Sequence, residues 1–206
     1  MNTVQIFPTH PRVRLFAAQF QVAMIALVLM SISPLGALAQ EGHSHAQQMT
    51  AEQKSDASAL IGIVRQSTER FKKVSVAKAE GYALQFGCVS GDSSGAMGLH
   101  YVNGDLVKKG ALDIAHPQIV IYEPTGDGHL RLIGADYLLF KDAWDAKHTS
   151  PPQLRGQMFH LFDAPNRFGL PAFYTLHVWA WKANPNGAFV NWHPDVSCEL
   201  YGGKNQ

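Results

Sequence analysis

Leu130-Arg131-Leu132-Ile133-Gly134-Ala135-Asp136-Tyr137-Leu138-Leu139-Phe140 is the stretch on which the fold class turns. A period of two places Leu132, Gly134, Asp136, Leu138 and Phe140 on one face, the pattern of a strand. The same period recurs at Met97–Val102, Gln118–Tyr122, Phe159–Phe162 and Tyr174–Trp181, with Gly, Pro, Asn and Asp between the runs. Upstream the period is helical. Thr50 and Gln53 have the spacing of a capping box, and Ala57, Leu60, Val64, Ser67 and Phe71 follow at helical intervals, predicting an amphipathic helix from Ala51 to about Phe71. A short helical turn is expected over Val76–Glu80, ended by Gly81. The fold class is therefore α+β, an N-terminal amphipathic helix packed on a mainly antiparallel, curved sheet. Asn184-Pro185-Asn186-Gly187, between Tyr174–Trp181 and Ala188–Trp192, predicts a hairpin.

Residues 1–39 read as a signal peptide. Arg12 and Arg14 precede an apolar run from Val22 to Met30, which Ser31, Ser33, Pro34 and Gly36 interrupt. A spanning helix needs about 20 continuous apolar residues, whereas this run is broken and leads into Ala37-Leu38-Ala39, the small-x-small pattern of a cleavage site. Cleavage after Ala39 is expected in preference to an uncleaved anchor, and it would leave no stable membrane anchor. Residues 40–49 are polar and without hydrophobic period, a flexible tail, and residues 50–206 are expected to form a single α+β domain.

Loss of two arginines and no acids turns the formal charge of +1 into about −1. A near-neutral chain whose only basic pairs are Lys72-Lys73 and Lys108-Lys109 lacks the stripe that nucleic acid requires. Cys88 and Cys198 are an even count, and in an exported chain they are best read as one disulfide. Closing a loop of that size is worth about 4–5 kcal/mol in the chain-entropy model. A pair of thiolate metal ligands is the weaker alternative, since there is no CxxC spacing. The expected location is periplasmic or secreted.

Several segments together carry a resemblance: Gly95-Ala96-Met97-Gly98-Leu99-His100-Tyr101-Val102-Asn103, Ile121-Tyr122-Glu123-Pro124, Leu132-Ile133-Gly134-Ala135-Asp136-Tyr137, His177-Val178-Trp179-Ala180-Trp181 and Asn184-Pro185-Asn186-Gly187. The combination, spread over residues 71–199, resembles a family of exported bacterial proteins of unassigned function. That resemblance implies bacterial export and a single domain, and it supplies no reaction.

The chemistry has to come from residues that interrupt apolar faces. Gly98, His100 and Val102 share one face of their strand, and Thr175, His177, Trp179 and Trp181 share another, so each histidine sits in largely apolar company. Asp136 does the same within Leu130–Phe140, and Glu123 closes the strand that carries Ile119 and Ile121. A buried carboxylate needs a partner or takes up a proton. If the strands curl so that these faces meet, His100 and His177 with Asp136 or Glu123 form a two-imidazole, one-carboxylate set suited to Fe(II), Zn(II) or Cu(II). Two other readings compete, a core network with every polar group satisfied and a pocket for a small-molecule ligand. Whether the chain is an enzyme stays open.

His160 and His193 are secondary candidates for a third imidazole. His116, His129 and His148 fall in expected surface loops, and His43 and His45 in the tail. Gly91-Asp92-Ser93-Ser94-Gly95 matches G-x-S-x-G, yet it leads into a strand rather than a helix, so it is read as a solvated loop. The aromatic residues of the C-terminal half, Phe159 to Trp192, are read first as core, with a ring-lined pocket as the alternative.

Overall fold

The computed structural model describes residues 49–203, all within a compact unit that spans His45–Gln206. The expected leader, its cleavage site at Ala39, and His43 and His45 lie outside the described residues.

Thr50 caps helix α1 (Ala51–Thr68) through the expected box: its hydroxyl accepts from the Gln53 amide, and the Gln53 side chain accepts from the Thr50 amide. The chain tightens into one 3₁₀ turn (Glu69–Lys72), which carries the buried Phe71. Short helix α2 (Val74–Ala79) follows, and Gly81 takes a φ of +90° to lead into the sheet. Strands β1 (Tyr82–Ser90), β2 (Ala96–Asn103), β3 (Ile119–Pro124) and β4 (Leu130–Phe140) form a meander, with helix α3 (Gly104–Lys109) between β2 and β3. After helix α4 (Lys141–Asp145) and a two-stranded ribbon, β5 (Gln153–Leu154) with β6 (Gln157–Met158), the chain adds β7 (His160–Phe162) and β8 (Phe173–Val178). The main sheet has the order β1-β2-β3-β4-β8-β7, every pair antiparallel, with β1 and β7 as its edges.

Helix α1 covers one face. Leu60 and Val64 of α1, both fully buried, pack on Ala135, Tyr137, Leu139, Leu176 and Val178. Each such side chain is worth about 1.5–3 kcal/mol relative to exposure. Polar pins fix the contact: Tyr122 Oη donates to Phe71 O (2.6 Å), and the Trp181 indole donates to Thr68 Oγ1 (3.0 Å). Cys88 of β1 is joined to Cys198, 110 residues away, which ties the sheet to the C-terminal segment.

The other face is concave. Adjacent strands lie about 4.8 Å apart, so β2 and β8, three steps removed, would stand about 14 Å apart in a flat sheet. His100 and His177 nevertheless touch across that distance, which requires the sheet to curl. Register irregularities supply the bend, between Leu84 and Cys88, between Val89 and Ser90, and between Ile121 and Tyr122. Two glycines permit the close approach. A Cβ on Gly98, whose φ is +88°, would lie 2.6 Å from Tyr122 O, and one on Gly134 would lie 2.6 Å from Val178 O.

Two details differ from the sequence reading. Tyr82–Ser90 does not alternate because Phe86 and Gly87 both take positive φ (65° and 69°), adding two residues to β1 between its pairings with Tyr101 and Leu99. The expected hairpin forms its turn and one backbone bond between its arms, from Trp179 N to Ala188 O (2.9 Å), but no ladder. Gly187 N donates to Asn184 O, but β8 ends at Val178, and residues 188–192 are held largely by side chains: the Trp179 indole donates to Val190 O and Asn184 Nδ2 to Trp192 O.

Candidate metal centre and apolar cup

Register alone brings the candidate residues to one face. Val102 pairs with Ile119, Ile119 with Asp136, and Asp136 with His177, while His100 lies opposite Ile121. In a curled sheet these inward positions converge. His100 Nε2 lies 3.3 Å from His177 Nε2, and His177 Nδ1 lies 3.8 Å from Asp136 Oδ1. One ligand-capable atom from each of His100, Asp136 and His177 lies within 4.8 Å of the other two, and all three residues are buried. This is a group that could hold a metal ion.

Each member is oriented by its surroundings. His100 Nδ1 is 3.3 Å from Gly98 O, and with the proton there its Nε2 presents a lone pair to the centre. Thr175 Oγ1 donates to Asp136 Oδ1 (2.5 Å), and the Leu176 and Tyr137 amides also favour the ionised carboxylate. The His177 ring lies along Trp179, with centroids 5.9 Å apart. His177 Nδ1 and Asn191 Oδ1 are buried with no hydrogen bond of ordinary geometry, although Asn191, as a looser acceptor, favours the protonated His177 ring. The contact falls short of a bond, and His177 is the less satisfied imidazole.

Burial sets the charge state. It pulls the His100 pKa down to about 4, helped by the neighbouring His177, and the His177 pKa down to about 3, helped by His160. Burial also pushes Asp136 up to about 6, against the opposing influence of His100 and the hydrogen bonds from Thr175 and the backbone. At neutral pH both imidazoles are therefore neutral and the carboxylate ionised, leaving one negative charge in a dry site.

The other sequence candidates lie elsewhere. Glu123, past the irregularity at the end of β3, accepts from Arg131 Nε (2.6 Å) and Lys182 Nζ (2.6 Å) and has no part in the cluster. His193 is fully buried but satisfied: its Nε2 donates to Ala183 O (3.1 Å) and its Nδ1 accepts from the Asp195 amide (3.1 Å). His160 is exposed on the edge strand. His116 pairs with Asp113, and His148 stacks on Trp144. The Gly91–Gly95 loop joins β1 to β2 and abuts His193 O, as its strand context requires.

Sequence reasoning left open whether the rings faced a void, and on the concave face they do. A cavity of about 230 Å³ has His100 and Asp136 in its wall, along with Phe86, Phe140, Phe162 and Phe173. Phe168 bridges the two edges of the sheet, 5.4 Å from Phe86 of β1 and 6.0 Å from Phe162 of β7. Its loop is knit by Asn166, which the sequence did not mark. Asn166 Nδ2 donates to Asp163 O and Leu170 O, and its Oδ1 accepts from the Phe168 and Leu170 amides. The only available sign was an Asn two residues before a loop aromatic, which is common without such a role.

Comparison of the chain with protein-family models, with curated proteins and with solved structures finds no match.

Proposed function

We propose that this protein is an exported metal-binding domain in which His100, His177 and Asp136 hold one transition-metal ion, Fe, Cu or Zn, at the floor of an apolar cup. The observation that carries the reading is the convergence of three buried donors, two of them imidazole nitrogens 3.3 Å apart. Nitrogens at that separation subtend about 105° at an ion about 2.1 Å from each, close to the tetrahedral angle. Square-planar Cu(II) and octahedral Fe(II) would want about 90° between neighbours, so the bite favours a tetrahedral ion, Zn(II) or four-coordinate Fe(II). Two ligands 2.1 Å from one ion are at most about 4.2 Å apart, so the 4.8 Å cluster closes on a metal with movements below one ångström.

A fully satisfied structural network is the competing account. His193 illustrates what satisfaction looks like in this fold, with both ring nitrogens bonded to backbone. His177 departs from it through its unpartnered Nδ1. Export is supported by the Cys88–Cys198 disulfide.

Cobalt(II) titration of the exported, chelator-stripped protein tests the reading. Visible d–d absorption saturating at one equivalent, and absent from His100→Ala and His177→Ala, is expected. No saturable absorption in a folded protein would refute it.

A further inference from the structure

We propose that the cup binds a small, neutral molecule containing one aromatic ring and one polar oxygen, its ring among the phenylalanines and its oxygen toward His100 and Asp136. The proposal rests on the metal reading only for what the ligand meets at the floor; the cup stands with or without an ion.

Size comes first. An apolar cavity of about 150 Å³ is enough to hold benzene, and this one measures about 230 Å³. One ring with a short substituent fits within it. The walls favour a ring over an aliphatic chain. Phe162 and Phe173 lie parallel with centroids 5.2 Å apart, and Phe168 is inclined at about 60° to both, so faces and edges are presented together. Aromatic partners gain from both offset-stacked and edge-to-face contacts.

Polarity sets the remaining limits. Gln85, His100 and Asp136 bring the polar side chains of the lining, and no lysine or arginine is among them. In the metal-free cup an anionic ligand would be buried without a counter-charge and beside a carboxylate, a costly arrangement. A hydroxyl can donate to the acceptors that His100 and Asp136 bring to the floor, where both are buried, while the mouth is formed by the exposed Gln85 and the half-buried Phe86, Val107 and Phe168.

The mouth carries a second mark of a built site. Phe86 is a non-glycine residue at φ 65°, a backbone conformation that costs of the order of 1–3 kcal/mol and persists only where its surroundings impose it. The register irregularity that imposes it also turns the Phe86 ring onto Phe168, joining the two sheet edges above the cavity.

The test is isothermal titration of the exported protein with 4-ethylphenol and with 4-ethylbenzoate, first chelator-stripped and then reloaded with zinc. Val107→Trp, half-buried at the mouth on α3, blocks the cup without touching the floor, and circular dichroism checks its fold. Saturable one-to-one uptake of 4-ethylphenol is expected in both states, with binding at least about tenfold weaker for the Val107→Trp protein and, in the chelator-stripped protein, for the benzoate. No uptake in either state, equal affinity for the anion in the chelator-stripped protein, or an unaffected folded Val107→Trp protein would overturn the proposal. Zinc uptake without ring binding would sink the ligand and leave the metal centre. Ring binding without zinc uptake would do the reverse.

Discussion

Asp136→Asn separates a functional carboxylate from a structural one, because the two accounts predict opposite signs. Burial raises the Asp136 pKa from 3.8 to about 6. At about 1.4 kcal/mol per unit, the ionised group costs the metal-free fold about 3 kcal/mol at pH 7.5. Asparagine keeps the shape and removes that cost, which already includes the bond from Thr175, but it puts an Nδ2 donor where one of the two acceptor oxygens was, a loss of about 1–2 kcal/mol. The metal-free variant should therefore be about 1–2 kcal/mol more stable than wild type, a rise of about 3–6 °C in Tm for a domain of this size. Below pH 5 the wild-type carboxyl is protonated in the fold and the difference should narrow. With zinc present at 100 times its Kd the order should reverse, since the wild type gains about 2.7 kcal/mol that the variant forgoes. Urea denaturation in chelator at pH 7.5 and 4.5, repeated with zinc, reads all three. A variant less stable than wild type by more than about 1 kcal/mol in chelator at pH 7.5 would refute the reasoning, because it would make Asp136 a net stabiliser of the apo core.

Other consequences concern pH, the disulfide and the cup loop. In chelator the protein should lose stability as pH falls from 6.5 toward 4. The unfolded chain protonates both histidines in that window, while native His100 and His177 stay neutral down to about 4 and 3. Asp136, with its raised pKa, opposes the trend between 3.8 and about 6, so Asp136→Asn should steepen the fall; a flat urea midpoint from pH 6.5 to 4.5 would contradict these assignments. Reducing Cys88–Cys198 should cost about 4–5 kcal/mol, since the bond closes a loop of 110 residues, and an unchanged midpoint in dithiothreitol would argue against that role. Asn166→Ala should speed amide exchange at Phe168 and Leu170 while leaving β2 to β4 protected, because both amides donate to the lost Oδ1; unchanged exchange there would show that the loop is held by its rings alone.

The site was legible in the sequence wherever strand alternation governs it. His100, Asp136 and His177 each break an apolar face, and a period of two is enough to assign them to the inward side. Their meeting was not legible, because it depends on curl, and the curl comes from register irregularities that pair residues far apart in sequence. Phe86 hid β1 in the same way, since nothing in Leu84-Gln85-Phe86-Gly87-Cys88 announces a non-glycine residue at positive φ. Glu123 looked equivalent to Asp136 from its strand. Only the cations that reach it, Arg131 across the ladder and Lys182 from beyond β8, mark it as a structural ion pair. The Asn184–Gly187 turn formed as read, yet beyond the Trp179 N to Ala188 O bond the arm after it is held by the side chains of Trp179 and Asn184, which bond to its backbone in place of a ladder. The cup needed β1, β7 and the Asn166 loop to come together, which no local pattern encodes.

The most direct test of the central claim is elemental analysis of the protein exported from the full-length chain, purified without chelator or affinity tag, beside a His100→Ala, His177→Ala double variant. The account predicts close to one equivalent of zinc or iron per chain in the wild type and a loss of at least about tenfold in the folded variant. Metal-free wild-type protein that also takes up no added zinc or iron, or equal metal in both proteins, would contradict it.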